Sequence, residues 1–153
     1  MSRLGIMRAP SKYVQGSDSL LSFYEEFKDL GKKWLFICSR SGYKYSHDNI
    51  EESFKNTDCQ RRYEIFGGIS STGEIEKMRK IIKDDGIEVV VGVGGGSAID
   101  TAKAAAYYEG VRVVANPTVV ATDAPCTGLS VIYNNDGSFN SYLFYPANKV
   151  YYS

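Results

Sequence analysis

The segment VGVGGGSAIDTAK, residues 91–103, holds the residues best suited to chemistry. An apolar run enters three consecutive glycines, Gly94, Gly95 and Gly96, and leaves through Ser97 into an alanine-rich stretch. Without Cβ atoms in the way, backbone there can approach a ligand closely. A helix starting at that point offers unpaired N–H groups and the positive end of its dipole, which suits a phosphate. Ser97 would add a hydroxyl donor or cap the helix. A tight turn in which the glycines serve only packing fits the same local pattern, so both readings stand. The spacing is not a strict GxGxxG, and GK[ST] of a Walker loop is missing. Asp100 and Lys103, three residues apart, read locally as a surface ion pair on the same helix.

The other reactive side chains are sparse. Cys38, Cys59 and Cys126 are odd in number and widely spaced, which gives neither a disulfide framework nor a CxxC metal pair. A reducing cytoplasm is the expected compartment. Cys126 has no histidine neighbour in the sequence and reads as an inert thiol. His47 is the one histidine and is expected on the surface. A catalytic zinc site needs about three protein ligands, and this set does not supply them.

Composition narrows the class. The 153 residues are 43% hydrophobic and 24% charged, with zero formal net charge, as in an ordinary globular domain. Zero net charge gives no argument for nucleic acid or an anionic membrane as partner. No apolar run approaches the roughly 20 residues that span a bilayer. The opening MSRLGIMRAP lacks a signal-peptide core, so export is not expected.

The elements that must position the glycines alternate. SDSLLSFYEEFKDLG has a helical apolar period, with Ser17 as cap and Gly31 as stop. KWLFIC reads as a strand buried on both faces, SHDNIEESFKNT as a helix, and RYEIFGG as a strand ending in glycines. In SSTGEIEKMRKIIKDDG, Ser71 and Glu74 form a capping box ahead of Ile75, Met78, Ile81 and Ile82 on one stripe. The strand IEVVVGVG, the helix SAIDTAKAAAYYEG and the strand VRVVANP follow. This rhythm predicts crossover units and a parallel sheet covered by helices. After Pro117 it changes: LSVIYNNDGSFNSYLFY reads as a hairpin added after residue 128, and a third short run, KVYY, follows.

Three ordered motifs carry a family resemblance: SKYVQG at 11–16, GVGGGSAIDTAK at 92–103 and NPTVVATDAPCTGLSVIY at 116–133. Together they resemble the iron-containing (group III) alcohol dehydrogenase superfamily, and within it the glycerol dehydrogenases, across essentially the whole chain. The resemblance implies an α/β, Rossmann-like cofactor domain over 1–153, the amino-terminal half of a two-domain enzyme. On this resemblance, the second, helical metal-binding domain of the family, with its Asp-His-His site, is not expected within these 153 residues. Zinc or iron would belong to the complete enzyme, and none of its ligands is expected in this chain.

Residue by residue, the resemblance implies that Gly94, Gly95, Gly96 and Ser97 wrap the pyrophosphate of NAD. Thr118 and Thr122 would flank the nicotinamide side, and Thr127, Leu129, Val131 and Tyr133 would line the dinucleotide along the hairpin. Asp123 matches the acidic residue that reaches substrate hydroxyls, although an Asp beside Pro125 also reads as a turn former. Asp100 and Lys103 match the D-xxK pair of the glycine-loop helix. The reaction implied is metal-assisted hydride transfer from glycerol, another small polyol or a secondary alcohol, in a homo-oligomer. This chain alone is not expected to turn over.

The sequence also departs from the family pattern. Ala121 stands where a serine is usual. The position that carries a ribose-binding carboxylate falls on Ser39, followed by Arg40, so NADP is not excluded. Two alternatives remain: a nucleotide-binding module without catalysis, and half of a glycerol-1-phosphate dehydrogenase or dehydroquinate synthase relative.

Overall fold

The computed structural model describes residues 12–13, 19–118, 129–144 and 150–152. In chain order the elements are β1 (Lys12–Tyr13), α1 (Phe23–Phe27), β2 (Lys33–Cys38), α2 (Arg40–Ser53), β3 (Gln60–Ile65), α3 (Thr72–Asp85), β4 (Val89–Gly94), α4 (Gly96–Glu109), β5 (Arg112–Pro117), β6 (Leu129–Tyr133), β7 (Phe139–Phe144) and β8 (Val150–Tyr152). Six parallel strands form the main sheet in the order β1-β8-β5-β4-β2-β3. β6 and β7 form the added antiparallel hairpin. This is the α/β, Rossmann-like architecture expected from the alternating sequence.

The sheet separates two apolar layers. Alternate strand residues Leu35, Ile37, Val90, Val113 and Ala115 pack with α3 and α4. Their neighbours Trp34, Phe36, Val89, Val91 and Val114 pack with Phe23, Phe27, Ile50 and Phe54 on the other face. Coverage of both faces is why β2 and β4 are continuously apolar instead of alternating. Helix α4 is buried nearly all round, including Ala98, Ile99, Ala102, Ala104, Ala105 and Ala106, because the hairpin strand β6 covers it as well. Its fit against β4 is close: a Cβ at Gly92 would lie 2.9 Å from Ala102 Cβ and 3.0 Å from Ile99 Cα.

Several boundaries differ from the sequence expectation. The first helix is broken into a 3-10 turn (Ser19–Ser22), α1 and a second 3-10 turn (Lys28–Leu30); Ser17 lies outside the described residues. Helix α2 starts at Arg40, six residues before the predicted Ser46, because the Ser39 side chain accepts a hydrogen bond from Gly42 N. Strand β3 ends at Ile65, before the glycines, in register with Cys38 at the end of β2. KVYY supplies β8, which is inserted between β1 and β5. The capping box is half made. Ser71 Oγ accepts from Glu74 N at 3.1 Å, but Ser71 N donates to Ile69 O. Asn135 of the hairpin turn adds a second cap, its Oδ1 accepting from Gly73 N at 2.8 Å.

Candidate functional site at the glycine loop

The chain passes from β2 outward to β3 and then returns to the other side of β2 for β4. Strand order therefore reverses between β2 and β4, the place where open α/β sheets form a crevice at the strands' carboxyl ends. Ser39 follows β2 and Gly95 follows β4. The two ends are tied by Ser39 N donating to Val93 O at 2.9 Å. Gly42, in the first turn of α2, lies so close that a Cβ would sit 2.5 Å from Val93 O.

A cleft of about 610 Å³ opens at this point, its wall including Ser39, Arg40, Gly67, Gly95, Gly96 and Ser97. Gly94, the buried residue that ends β4 just before this wall, has φ +147°, and a Cβ there would lie 2.6 Å from Ser39 Oγ. Gly95 is the N-cap of α4, with no side-chain hydrogen bond to the helix start. A Cβ on Gly95 would meet nothing within 4 Å, so it would project into open space. The amides of the first turn of α4 consequently lack a side-chain acceptor, and such amides suit an anion.

The structure brings Ser39, Gly95, Gly96 and Ser97 into one wall; Gly94, next in the chain, is buried and not part of the lining. Thr118 is exposed just beyond β5 and its N–H donates to Gly94 O at 3.0 Å, which fixes it beside the loop. Val131 and Tyr133 are not among the residues lining this cleft. Their N–H groups donate to Asp100 Oδ2 (3.2 Å) and Ser70 O (2.9 Å), which docks β6 on α4 and on the start of α3. Leu129 begins β6. Thr122, Asp123, Thr127, Ala121 and Cys126 lie outside the described residues. Phe66, Gly67 and Gly68 also line the cleft and were not singled out from the sequence. The available signal was the end of the third strand, since strand ends beside the reversal must wall the crevice.

Two local readings need correction. Asp100 and Lys103 are not a surface pair: the Lys103 side chain is 0% exposed and Asp100 13%, with Nζ and Oδ1 3.7 Å apart. Burial pushes the Asp100 carboxyl above its ordinary pKa, opposed by Lys103 and the Val131 N–H. Ser130 Oγ also donates to the Asp100 carbonyl at 3.2 Å, so the pair anchors the hairpin. His47 is half-buried, its ring 4.7 Å from those of both Tyr43 and Tyr63. Cys38 and Cys59 are buried free thiols, and burial pushes Cys38 up to about 12, far from nucleophilic use at neutral pH.

Open space at Gly95, the uncapped start of α4 and the cleft volume fit a dinucleotide pyrophosphate. Among the described residues, no group of three or more His, Cys, Asp or Glu side chains is placed to hold a metal. No helix among these residues is long and apolar enough to cross a membrane.

A crevice at a strand-order reversal beside a glycine loop defines an α/β, Rossmann-like domain, and comparison with known proteins gives the family. The family model described as "Iron-containing alcohol dehydrogenase" matches residues 10–150. The chain is 38% identical over 143 residues to a glycerol dehydrogenase of Escherichia coli O6:H1, covering 94% of this chain and 39% of that protein. A glycerol dehydrogenase of Thermotoga maritima is 40% identical over 140 residues, covering 91% and 38% respectively. The crystal structure of glycerol dehydrogenase from Schizosaccharomyces pombe superposes with a TM-score of 0.84 at 32% identity, covering 99% of this chain and 39% of that one. The chain belongs to the iron-containing alcohol dehydrogenase family. It spans about two fifths of the length of these relatives.

Proposed function

We propose that this chain is the dinucleotide-binding portion of an oxidoreductase of the glycerol dehydrogenase type. The observation that carries this reading is the start of α4, left without a side-chain cap where it opens into the cleft between β2 and β4. The first N–H groups of a helix have no intrahelical acceptor, and at this partly exposed start of α4 a pyrophosphate supplies acceptors for them. Gly95, Gly96 and Ser97 hold it, and Gly94 lets the chain turn just before them.

The nicotinamide of the dinucleotide, when bound, would supply the hydride acceptor. Thr118, fixed against Gly94, stands on the β5 side of the loop, where the family resemblance puts the nicotinamide. Asp123 accepts hydrogen bonds from a small vicinal diol, with glycerol as the leading substrate. A carboxylate alone does not take a proton efficiently from an alcohol whose pKa is about 15, so Asp123 orients the diol and is not the base that deprotonates it.

Calorimetric titration of the 153-residue chain with NAD and with 5′-ADP tests the reading. Saturable binding of both, weakened by Gly95→Ala, is expected. Equal binding by wild type and variant would place the nucleotide elsewhere and remove the proposal.

A further inference from the structure

Resting on the dinucleotide reading, we propose that Arg40 makes the cleft selective for a dinucleotide bearing a 2′-phosphate. Dinucleotide folds hold the ribose 2′-hydroxyl of NAD on a carboxylate, whereas an arginine accommodates the 2′-phosphate of NADP. Here the strand end joined to the glycine-loop strand, through Ser39 N and Val93 O, is Ser39 and not a carboxylate. Its Oγ already accepts from Gly42 N at 3.0 Å. No residue lining the described cleft is acidic, and Arg40 is the only charged one.

The other arginines of α2's neighbourhood and the sheet's opposite face are committed. Arg61 is held by both carboxylate oxygens of Glu51 at 2.7 and 3.0 Å. Arg62 is held by Glu64 and Asp85, and Arg79 by Glu76 and Glu109. Arg40 is exposed at the cleft rim, and among the described residues it has no carboxylate partner. A planar guanidinium in that position can meet a phosphate with two parallel hydrogen bonds. Arg40 and Ser41 are also the first two residues of a 14-residue helix, whose initial N–H groups have no intrahelical acceptor. A ribose carrying only hydroxyls uses none of this positive charge. A 2′-phosphate uses it fully; the nearest carboxylate to the cleft wall, Glu74, lies beside Gly67 and is not itself among the lining residues.

The test compares 2′,5′-ADP with 5′-ADP, the adenosine halves of the two cofactors, by calorimetry on the full chain. A charge-assisted hydrogen bond is strong enough to give about a tenfold preference for 2′,5′-ADP, and added salt should shrink that preference. Arg40→Ala, an exposed position whose loss should not unfold the chain, is expected to bring the ratio near one. Ser39→Asp is expected to invert it. Circular dichroism verifies that each variant is folded. Binding of both nucleotides with a wild-type ratio of one, or a preference that survives Arg40→Ala, overturns the selectivity while leaving the dinucleotide reading in place. Failure of 5′-ADP, 2′,5′-ADP and NAD alike to bind overturns both.

Discussion

Helices α3 and α4 both have 14 residues, and both follow a strand of the same parallel sheet, yet their first turns are finished in opposite ways. At α3, Ser71 Oγ accepts from Glu74 N and Asn135 Oδ1 accepts from Gly73 N, so protein side chains occupy the start of the helix. At α4, Gly95 supplies no side chain at all. The hairpin explains part of the contrast: its turn caps α3 through Asn135, while its strand β6 bonds to Asp100 in the second turn of α4. Side chains close a helix start that serves only packing. A start meant for an anion has to stay free of them, and the stability that a cap would contribute there is forgone until the ligand binds.

The strongest way to break this comparison uses two adjacent glycines. Gly94→Ala should destabilise the chain by about 3 kcal/mol, because a positive-φ backbone is strained by a side chain and the new Cβ collides with Ser39. Thermal denaturation should show Tm falling by roughly 10 °C. Gly95→Ala, one residue on, has an ordinary φ of −84° and empty space around its Cβ. Stability should change by less than about 1 kcal/mol, while affinity for NAD falls at least about tenfold, since a methyl group now stands where the ligand must approach. If Gly95→Ala unfolds the chain and leaves binding intact in the folded remainder, the open start is a packing feature.

Much of this contrast was legible in the sequence, and the part that was not has a physical cause. Ser71 three residues before Glu74, and Gly94 to Gly96 between an apolar run and an alanine run, located both helix starts from local pattern alone. The second cap on α3 was not legible, because Asn135 lies 62 residues from Gly73 in the chain. Helix α2 begins six residues ahead of its legible pattern because its first turn, Arg40 to Tyr43, has no apolar stripe; Gly42 is suited there to its close contact with Val93 O. Asp100 and Lys103 looked like surface charges because burial by β6 arises from tertiary packing that helical spacing does not encode. KVYY read as an isolated run since its partners, β1 and β5, are distant in sequence.

A smaller effect sharpens the closed side of the comparison. Ser71→Ala removes one acceptor from the start of α3 and should cost about 1 kcal/mol, a Tm decrease of roughly 3 °C. Asn135→Ala should cost less, its amide being exposed. The two caps serve neighbouring amides of one turn, so the double variant should depart from additivity. Neither change should alter NAD affinity, because neither residue lines the cleft. A loss of binding in either would mean that α3 and α4 report on the same ligand.

The smallest expected effect lies at the far end of α2, away from both helix starts, and it is a pH dependence. Glu51 accepts from Arg61 through both oxygens and from Tyr63 Oη at 2.8 Å. The hydrogen bond from Arg61 is the main reason its carboxyl is held below the ordinary glutamate value, against the opposing effect of burial. An unfolded chain protonates this group near pH 4.3, and the folded chain at lower pH. The folded state therefore binds fewer protons in that window, and the contribution of Glu51 is complete above about pH 4.3 and fades as pH falls through the folded value. Glu51→Gln should lower Tm by only a degree or two at pH 7, as expected of a partly exposed ion pair. The difference from wild type should narrow as the pH is taken below about 4. NAD affinity at pH 7 should stay the same, since Glu51 is outside the cleft wall. A stability difference that is constant from pH 7 to pH 3 would show that Glu51 acts by packing against Tyr63 and Arg61, with no part played by its charge.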